Sequence, residues 1–492
     1  MDEQNTVIKK GDQITLGEKA AFTVGEIYGG GGVALLDTFF FTFVTLILNI
    51  DAAIAGSVIM LAKIWDAVTD PLMGVISDNT RTKIGRRRPY ILASSILIII
   101  SLLILFVPIM NWNSTIKTIY LIIAYLIYST VSTIFNVPYL SLSSEISENI
   151  KERNNMNMVR LIIAALSGAV CFVVIDYLIG LHRKEILSSA QICLIVSIGF
   201  GLFFAIPVLC TGFFTKERAP LPKQKAKFTF RNFTNTFKLK SFRRLLGMYV
   251  FSFVCNAIIL NILIIFVYNV TGGADIKVAG FNMSTAVYVA MLLGAGIMMP
   301  VILLILNLKV PKPVIFMIGI PLFVIGILFL AFYPENAKPQ YMLLFSALAG
   351  IGYGFVQPMP WLTFPDIIDV AELKSGDRNP GAYNGTMTFF KKFASGIAVF
   401  LVGVVLQSTG FDSTIGTAKL QPPQALTGMR YVIAISISVF MLLAFISGYM
   451  IKITTRKSER IRYFIEKQRA GELHNLIEKE RNEYEKLAKE LF

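Results

Sequence analysis

Histidine is nearly absent, with two in 492 residues, His182 and His474. Both fall outside the apolar cores of the chain, and no phosphate-cradling loop or nucleophile–base set accompanies them. A membrane-bound enzyme is therefore disfavoured. Cysteine is almost as sparse. Cys171, Cys193, Cys210 and Cys255 lie inside apolar runs without metal or redox spacing, and read as small packing residues rather than a disulfide framework. Charge is the third scarcity: 16% of residues are charged, against about 25% in soluble domains. A soluble globular fold is excluded. The first twenty residues are polar and mixed in sign, unlike a cleavable signal peptide. The first apolar segment is expected to serve as the uncleaved membrane signal.

What is present is apolar length. Hydrophobic residues make up 55% of the chain, and the mean hydropathy is +0.65. Runs of about 20 apolar residues, each able to cross a hydrocarbon core, recur at 22–49, 53–77, 90–110, 117–144, 157–180, 188–214, 245–270, 281–307, 312–333, 340–364, 382–409 and 428–452. The expected fold is an all-α membrane protein with twelve transmembrane helices in two six-helix bundles. The first bundle is 1–214, a basic central loop follows at 215–244, the second bundle is 245–452, and a charged amphipathic tail occupies 453–492. The net charge of +15 could suggest nucleic acid, but the basic residues cluster in short loops, as at Arg81, Lys83 and Arg86–Arg88. That is the pattern of cytoplasmic loops. Both termini and the central loop are expected in the cytoplasm of a cell-membrane protein acting as a monomer. Two such bundles suit a secondary transporter that binds substrate between them. In the tail, Ile461, Phe464, Ile465, Leu473, Leu476, Ile477, Tyr484, Leu487 and Leu491 recur at roughly helical spacing, which predicts amphipathic helix on the protein or lipid surface, or a regulatory docking helix.

The chemistry concentrates in Trp65-Asp66-Ala-Val-Thr69-Asp70-Pro71, inside the second apolar segment. An acidic residue at the centre of a membrane helix costs roughly 2.5–3.5 kcal/mol. Asp66 and Asp70, four apart, share one helix face with Lys63 a turn earlier, and Thr69 adds a hydroxyl beside them. Hard oxygen ligands of this kind suit a sodium or lithium ion. Two adjacent carboxylates could equally share a proton, and Lys63 could pair internally with one of them. Trp65 reads as bundle support.

The sequence continues Asp78-Asn-Thr-Arg81-Thr-Lys83-Ile-Gly85-Arg86-Arg87-Arg88-Pro89-Tyr90. Further blocks are Asn136-Val-Pro138-Tyr139, Glu152-Arg153, Arg160, Phe364-Pro-Asp366-Ile-Ile-Asp369, Lys374-Ser-Gly376-Asp-Arg378, and Phe389-Phe390-Lys391-Lys392. In this order, across both halves, they resemble the glycoside–pentoside–hexuronide:cation symporter family. The resemblance implies a major facilitator fold and sugar uptake driven by a sodium, lithium or proton gradient, with no cofactor beyond the coupling ion. It places that cation at Asp66, Thr69 and Asp70, faced by Thr133 and Asn136 on the fourth helix. Where melibiose-transporting members carry an Asp, this chain has Asn136; where they carry a first-helix Asp and a fourth-helix Trp, it has Gly30 and Leu140. Melibiose is therefore not the expected substrate. Arg160 and Lys392 match functional cations of the family; both could pair with Asp66 or Asp70 or meet an acidic substrate, and Arg160 could instead simply end its segment near the cytoplasmic face. Retaining them while the first-helix acid is missing leans toward a hexuronide or other anionic glycoside.

Other polar residues extend the candidate site. Asp37, midway along the first segment, could replace the missing first-helix acid or partner another buried polar group. Glu26 precedes Gly29–Gly32, a run that suits close helix approach. Tyr139 and Gln357 could contact a sugar or simply pack. Asp78, Arg81, Arg86 and Arg87 resemble a gating latch that also signals topology, and Asp366, Asp369 and Arg378 are its expected counterpart in the second half. Pro358, Pro360 and Pro365 should bend the tenth segment. The resulting expectation is a symporter for a small sugar or glycoside coupled to Na+ or H+. Its rivals are a non-transporting sugar sensor and a proton-coupled or amphiphile transporter of the same fold.

Overall fold

The computed structural model describes residues 14–146, 150–218, 234–273, 276–308, 310–334, 337–376, 380–417, 419–473 and 476–492. Apolar runs in a bilayer must satisfy their backbone groups internally, so they become helices. Eleven of the described helices are long and apolar enough to cross a membrane. The first apolar segment is also helical but broken into shorter pieces, and with it the count reaches the expected twelve.

That first segment opens with α1 (Leu16–Val24), started by a capping box between Thr15 and Glu18. Next come α2 (Glu26–Leu35) and two π-helical turns, Leu36–Phe40 and Phe43–Ile47. The following spans are α3 (Ala52–Asn79), α4 (Arg88–Leu105), α5 (Ser114–Glu145) and α6 (Ile150–Arg183). The sixth span joins α7 (Ser189–Leu194), a π-helical stretch Ile195–Phe200 and α8 (Gly201–Phe214).

Beyond the central stretch, α9 (Lys240–Val270) starts earlier than the hydropathy suggested. Lys240, Arg243 and Arg244 are therefore helical rather than in a loop; their charged ends finish a helix whose apolar part begins at Leu245. Lys223, Lys225, Lys227 and Arg231 lie outside the described residues. A two-residue hairpin, β1 (Lys277–Val278) with β2 (Phe281–Asn282), precedes α10 (Met283–Asn307) and α11 (Lys312–Ala331). The tenth span is split into α12 (Pro339–Val356) and α13 (Met359–Ser375) at Gln357–Pro358, where proline supplies no N–H to continue the ladder. α13 ends on Gly376, whose φ of 77° only glycine adopts at low cost. The last spans are α14 (Pro380–Ser408) and α15 (Pro423–Tyr449), followed by two tail helices, α16 (Thr455–Arg469) and α17 (Glu478–Leu491).

Two compact units emerge. One holds Met1–Ile50, Leu61–Phe228 and Gly416–Ala418; the other holds Asp51–Met60, Thr229–Ile415 and Lys419–Phe492. Within the first, the glycine run lets α2 touch α6: a Cβ on Gly30 would come 2.7 Å from the Ala164 Cα. Within the second, Gly350 does the same for α12 against α10, where a Cβ would stand 2.1 Å from the Met291 carbonyl oxygen. Large apolar side chains such as Ile96, Ile119, Leu166, Leu293, Leu344 and Ile435 point outward and exposed. So much outward apolar surface calls for hydrocarbon rather than water around it.

Candidate cation and substrate site

α3 carries Asp66 and Asp70 one turn apart, and α5 carries Ser129 and Thr133 with the same spacing. Even-numbered spans run in the same direction, so these ladders meet rung by rung. The Ser129 hydroxyl donates to the Asp66 carboxylate, and the Thr133 hydroxyl donates to Asp70 Oδ1 at 2.9 Å. Thr69 and Thr133 hydroxyls lie 3.4 Å apart, and Thr69 also donates to the Trp65 carbonyl at 3.0 Å. Asp66, Thr69, Asp70 and Thr133 are thus brought together, as expected, in a cluster of hard oxygens. Asn136 is the next step along α5 and donates to Ser132 Oγ at 3.0 Å. Ser129 was not anticipated, although its i, i+4 relation to Thr133 was readable. Trp65 has the supporting role expected of it, its indole N–H bonded to Thr130 Oγ1 at 2.9 Å.

Lys63 settles on neither of the paired acids. Its ammonium pairs with Asp37 Oδ1 at 3.0 Å, with side chains 20% and 18% exposed. Asp37 sits in the first π-helical turn, a local irregularity frequent at functional sites. Arg160 of α6 finds Glu26 of α2, with NH1 3.6 Å from Oε2. That distance makes an ion pair without a hydrogen bond: Glu26 Oε2 and the Arg160 Nε and NH1 atoms are buried without hydrogen-bond partners. Unspent hydrogen-bonding capacity of this kind is costly to bury and suits a polar ligand. Tyr139 packs beside this pair. It is fully buried, stacked on Phe22 and Phe135, and its hydroxyl donates to the Phe22 carbonyl at 2.9 Å.

Gln357 and Lys392 belong to the second unit. Gln357 stands at the break of the tenth span, its Oε1 buried without a hydrogen-bond partner. Lys392 is half-buried on α14, and its neighbour Lys391 lies over the Phe253 ring at 5.0 Å.

The candidate latch of the first unit is assembled. Arg87 bonds Asp78 and donates to Ser77 Oγ at 2.6 Å; Arg86 NH1 lies 3.9 Å from Asp78. Arg81 caps instead, donating to the Asp78 carbonyl at 2.7 Å. Sequence reading missed Glu217. Its carboxylate accepts the backbone N–H groups of Arg86, Arg87 and Arg88 at 2.9, 2.8 and 3.1 Å, closing the N-terminus of α4. Nearby, burial alone would raise the Glu18 pKa, but hydrogen bonds from Arg218 and Thr15 outweigh it and hold the carboxyl below its ordinary value.

In the second unit Asp366 accepts from Lys312 at 2.6 Å and from Ser458 at 2.9 Å. Asp369 accepts from Arg462 at 3.2 Å, and Glu372 from Arg469 Nε at 2.8 Å. These acids form one stripe of α13 that binds the tail helix α16. Arg378 lies outside the described residues. The tail partners escaped sequence reading because nothing in the spacing of the tail says which surface it covers.

A broken first helix, eleven further long apolar helices and paired carboxylates within one of them mark a polytopic membrane protein. Residues 21–455 match the family described as MFS/sugar transport protein, and the chain belongs to that family. Its relatives include an uncharacterized symporter of Bacillus subtilis, 26% identical, covering 91% of this chain and 95% of the relative. A glucuronide carrier protein homolog of Escherichia coli is 24% identical over 89% and 93% of the two chains. An isoprimeverose transporter of Lactiplantibacillus pentosus is 22% identical over 87% of each. Among solved structures, a D-xylose–proton symporter shares the fold with a TM-score of 0.61 at 12% identity, covering 90% of this chain and 98% of that one.

Proposed function

We propose that this chain takes up a glycoside, pentoside or hexuronide together with Na+ or H+ by alternating access. The observation that carries the reading is the double rung Asp66–Ser129 and Asp70–Thr133 on α3 and α5. Charged oxygens at that depth are stabilised when a cation neutralises them. Thr69 completes the cation side, and Asn136 sits at its edge as the amide that links cation and sugar. Glu26 and Arg160 form the sugar side of the first unit; Gln357 and Lys392 are the candidate substrate residues carried by the second. The unused donors and acceptors of Glu26, Arg160 and Gln357 match hydroxyl groups, and the arginine and lysine favour a carboxylate on the sugar. A glucuronide carrier homolog and an isoprimeverose transporter among the relatives support this substrate class.

Cation binding at Asp66 and Asp70 organises the sugar site, and only the doubly loaded carrier changes access. The Asp78–Arg87 and Asp366–Lys312 pairs serve as latches of one access state. The protein works as a monomer in the cell membrane, with both termini and the Arg86–Arg88 loop on the cytoplasmic side.

The test is solute uptake into proteoliposomes, with a panel of glycosides and hexuronides under imposed Na+ or proton gradients. A Na+ titration at fixed pH separates the two ions. Asp66→Cys should abolish cation-stimulated uptake while exchange of labelled sugar partly survives. Unchanged cation stimulation in that variant would remove the carboxylate from the mechanism. Absence of counterflow with every solute would turn the reading toward a sensor.

A further inference from the structure

The cation site does not account for the ion pair beside it. Lys63 lies three residues before Asp66 on α3, so the two side chains are neighbours on one helix face. Its ammonium interacts electrostatically with both Asp37 and Asp66. A lysine ammonium is a compact charge on a flexible four-carbon stem, and from this position it can reach either acid. Among the described residues its ion pair is with Asp37, at 3.0 Å. Asp37 is presented by the π-helical turn Leu36–Phe40, where the extra residue per turn alters the direction of side chains relative to a regular helix. Both members of the pair are four-fifths buried, so water screens them poorly and the ammonium needs a fixed partner.

We propose that Asp37 is a positioning residue: it holds the Lys63 ammonium off Asp66 and so leaves that carboxylate to the coupling cation. Lys63 is, in effect, an internal cation tethered next to the site, and Asp37 is its parking place. The idea rests on the reading of Asp66 and Asp70 as the cation site. Without Asp37, the nearest negative charge on the same helix face is Asp66, and the ammonium competes there with the travelling ion.

The experiment is cation binding to the purified full-length protein in nanodiscs, with tryptophan fluorescence titrated against Na+, Li+ and acid. Asp37→Asn should raise the concentration of the coupling cation at half-saturation roughly tenfold or more, the order expected for a like charge brought to a few ångströms from a binding site. Asp37→Asn combined with Lys63→Gln removes the competitor with its partner and should return half-saturation to within about threefold of the parent. Loss of a merely structural ion pair would leave the double variant as weak as the single one. Two outcomes overturn the proposal while sparing the cation site: unchanged affinity in Asp37→Asn, or no recovery in the double variant, with Asp66→Cys abolishing binding in either case. If Asp66→Cys binds the cation as the parent does, the site reading fails first and this inference with it.

Discussion

Thr133 shows how much a single hydroxyl can be asked to do. It donates to Asp70 and lies beside Thr69, so it helps hold the lower rung of the carboxylate ladder in place. Thr133→Val keeps the branched shape and removes the donor. A hydrogen bond to a charged group contributes about 1.5–3 kcal/mol, so the cation concentration for half-maximal uptake should shift by roughly tenfold or more. Sugar counterflow without a gradient should be largely retained. A cation titration of uptake by this variant in proteoliposomes checks both. The carboxylates themselves were legible because charge in an apolar run stands out. Their hydroxyl partners were less so, since Ser and Thr are common in membrane helices. Ser129 is singled out only once span direction puts α3 and α5 in the same register.

At the scale of elements, the tail is where structure added most. Its apolar periodicity announced helices; Ile461, Phe464, Ile465, Leu476, Leu487 and Leu491 are buried, whereas Ile477, of the same expected stripe, is exposed. α16 covers α13, gripped through Asp366, Asp369 and Glu372, and the end of α17 meets the start of α9, where Ser241 donates to the Leu491 carbonyl at 2.6 Å, so the tail lies on protein. Between α16 and α17, Arg460 makes two hydrogen bonds to Glu483 at 2.9 and 2.6 Å. Those bonds, ahead of the opposing effect of burial, hold the Glu483 carboxyl below its ordinary value of 4.5. A depressed carboxylate stabilises the docked hairpin above the unfolded value and ceases to do so as pH falls through the lowered one. Amide exchange should therefore find α16 and α17 fully protected at neutral pH and progressively less so below about pH 4.5. Glu483→Gln should show weaker protection at neutral pH and a smaller acid dependence. The same acid dependence in the variant as in the parent would assign the effect elsewhere.

For the whole molecule the strongest constraint is thermodynamic. If the cation organises the sugar site, each ligand must change the affinity for the other by the same factor. Sugar titrated with and without saturating cation, and cation titrated with and without saturating sugar, should give equal ratios, on the order of 5–150-fold. Unequal equilibrium ratios would mean that the two titrations are not reporting one coupled pair of sites.

Sequence alone settled the helical class, the number of spans, the broken tenth segment and the carboxylates of α3. Each is a local matter: a run long enough to cross hydrocarbon, a proline without an N–H, or an acid too costly to bury idly. Partnerships were decided only by the fold. Lys63 turned to Asp37 instead of its own helix, Arg160 to Glu26, Glu217 to the start of α4, and the tail to α13. A side chain's partner depends on which helices meet and at what height. That is fixed by packing between segments far apart in the chain, as where Gly30 admits the backbone of α6. Periodicity within one segment carries no record of it.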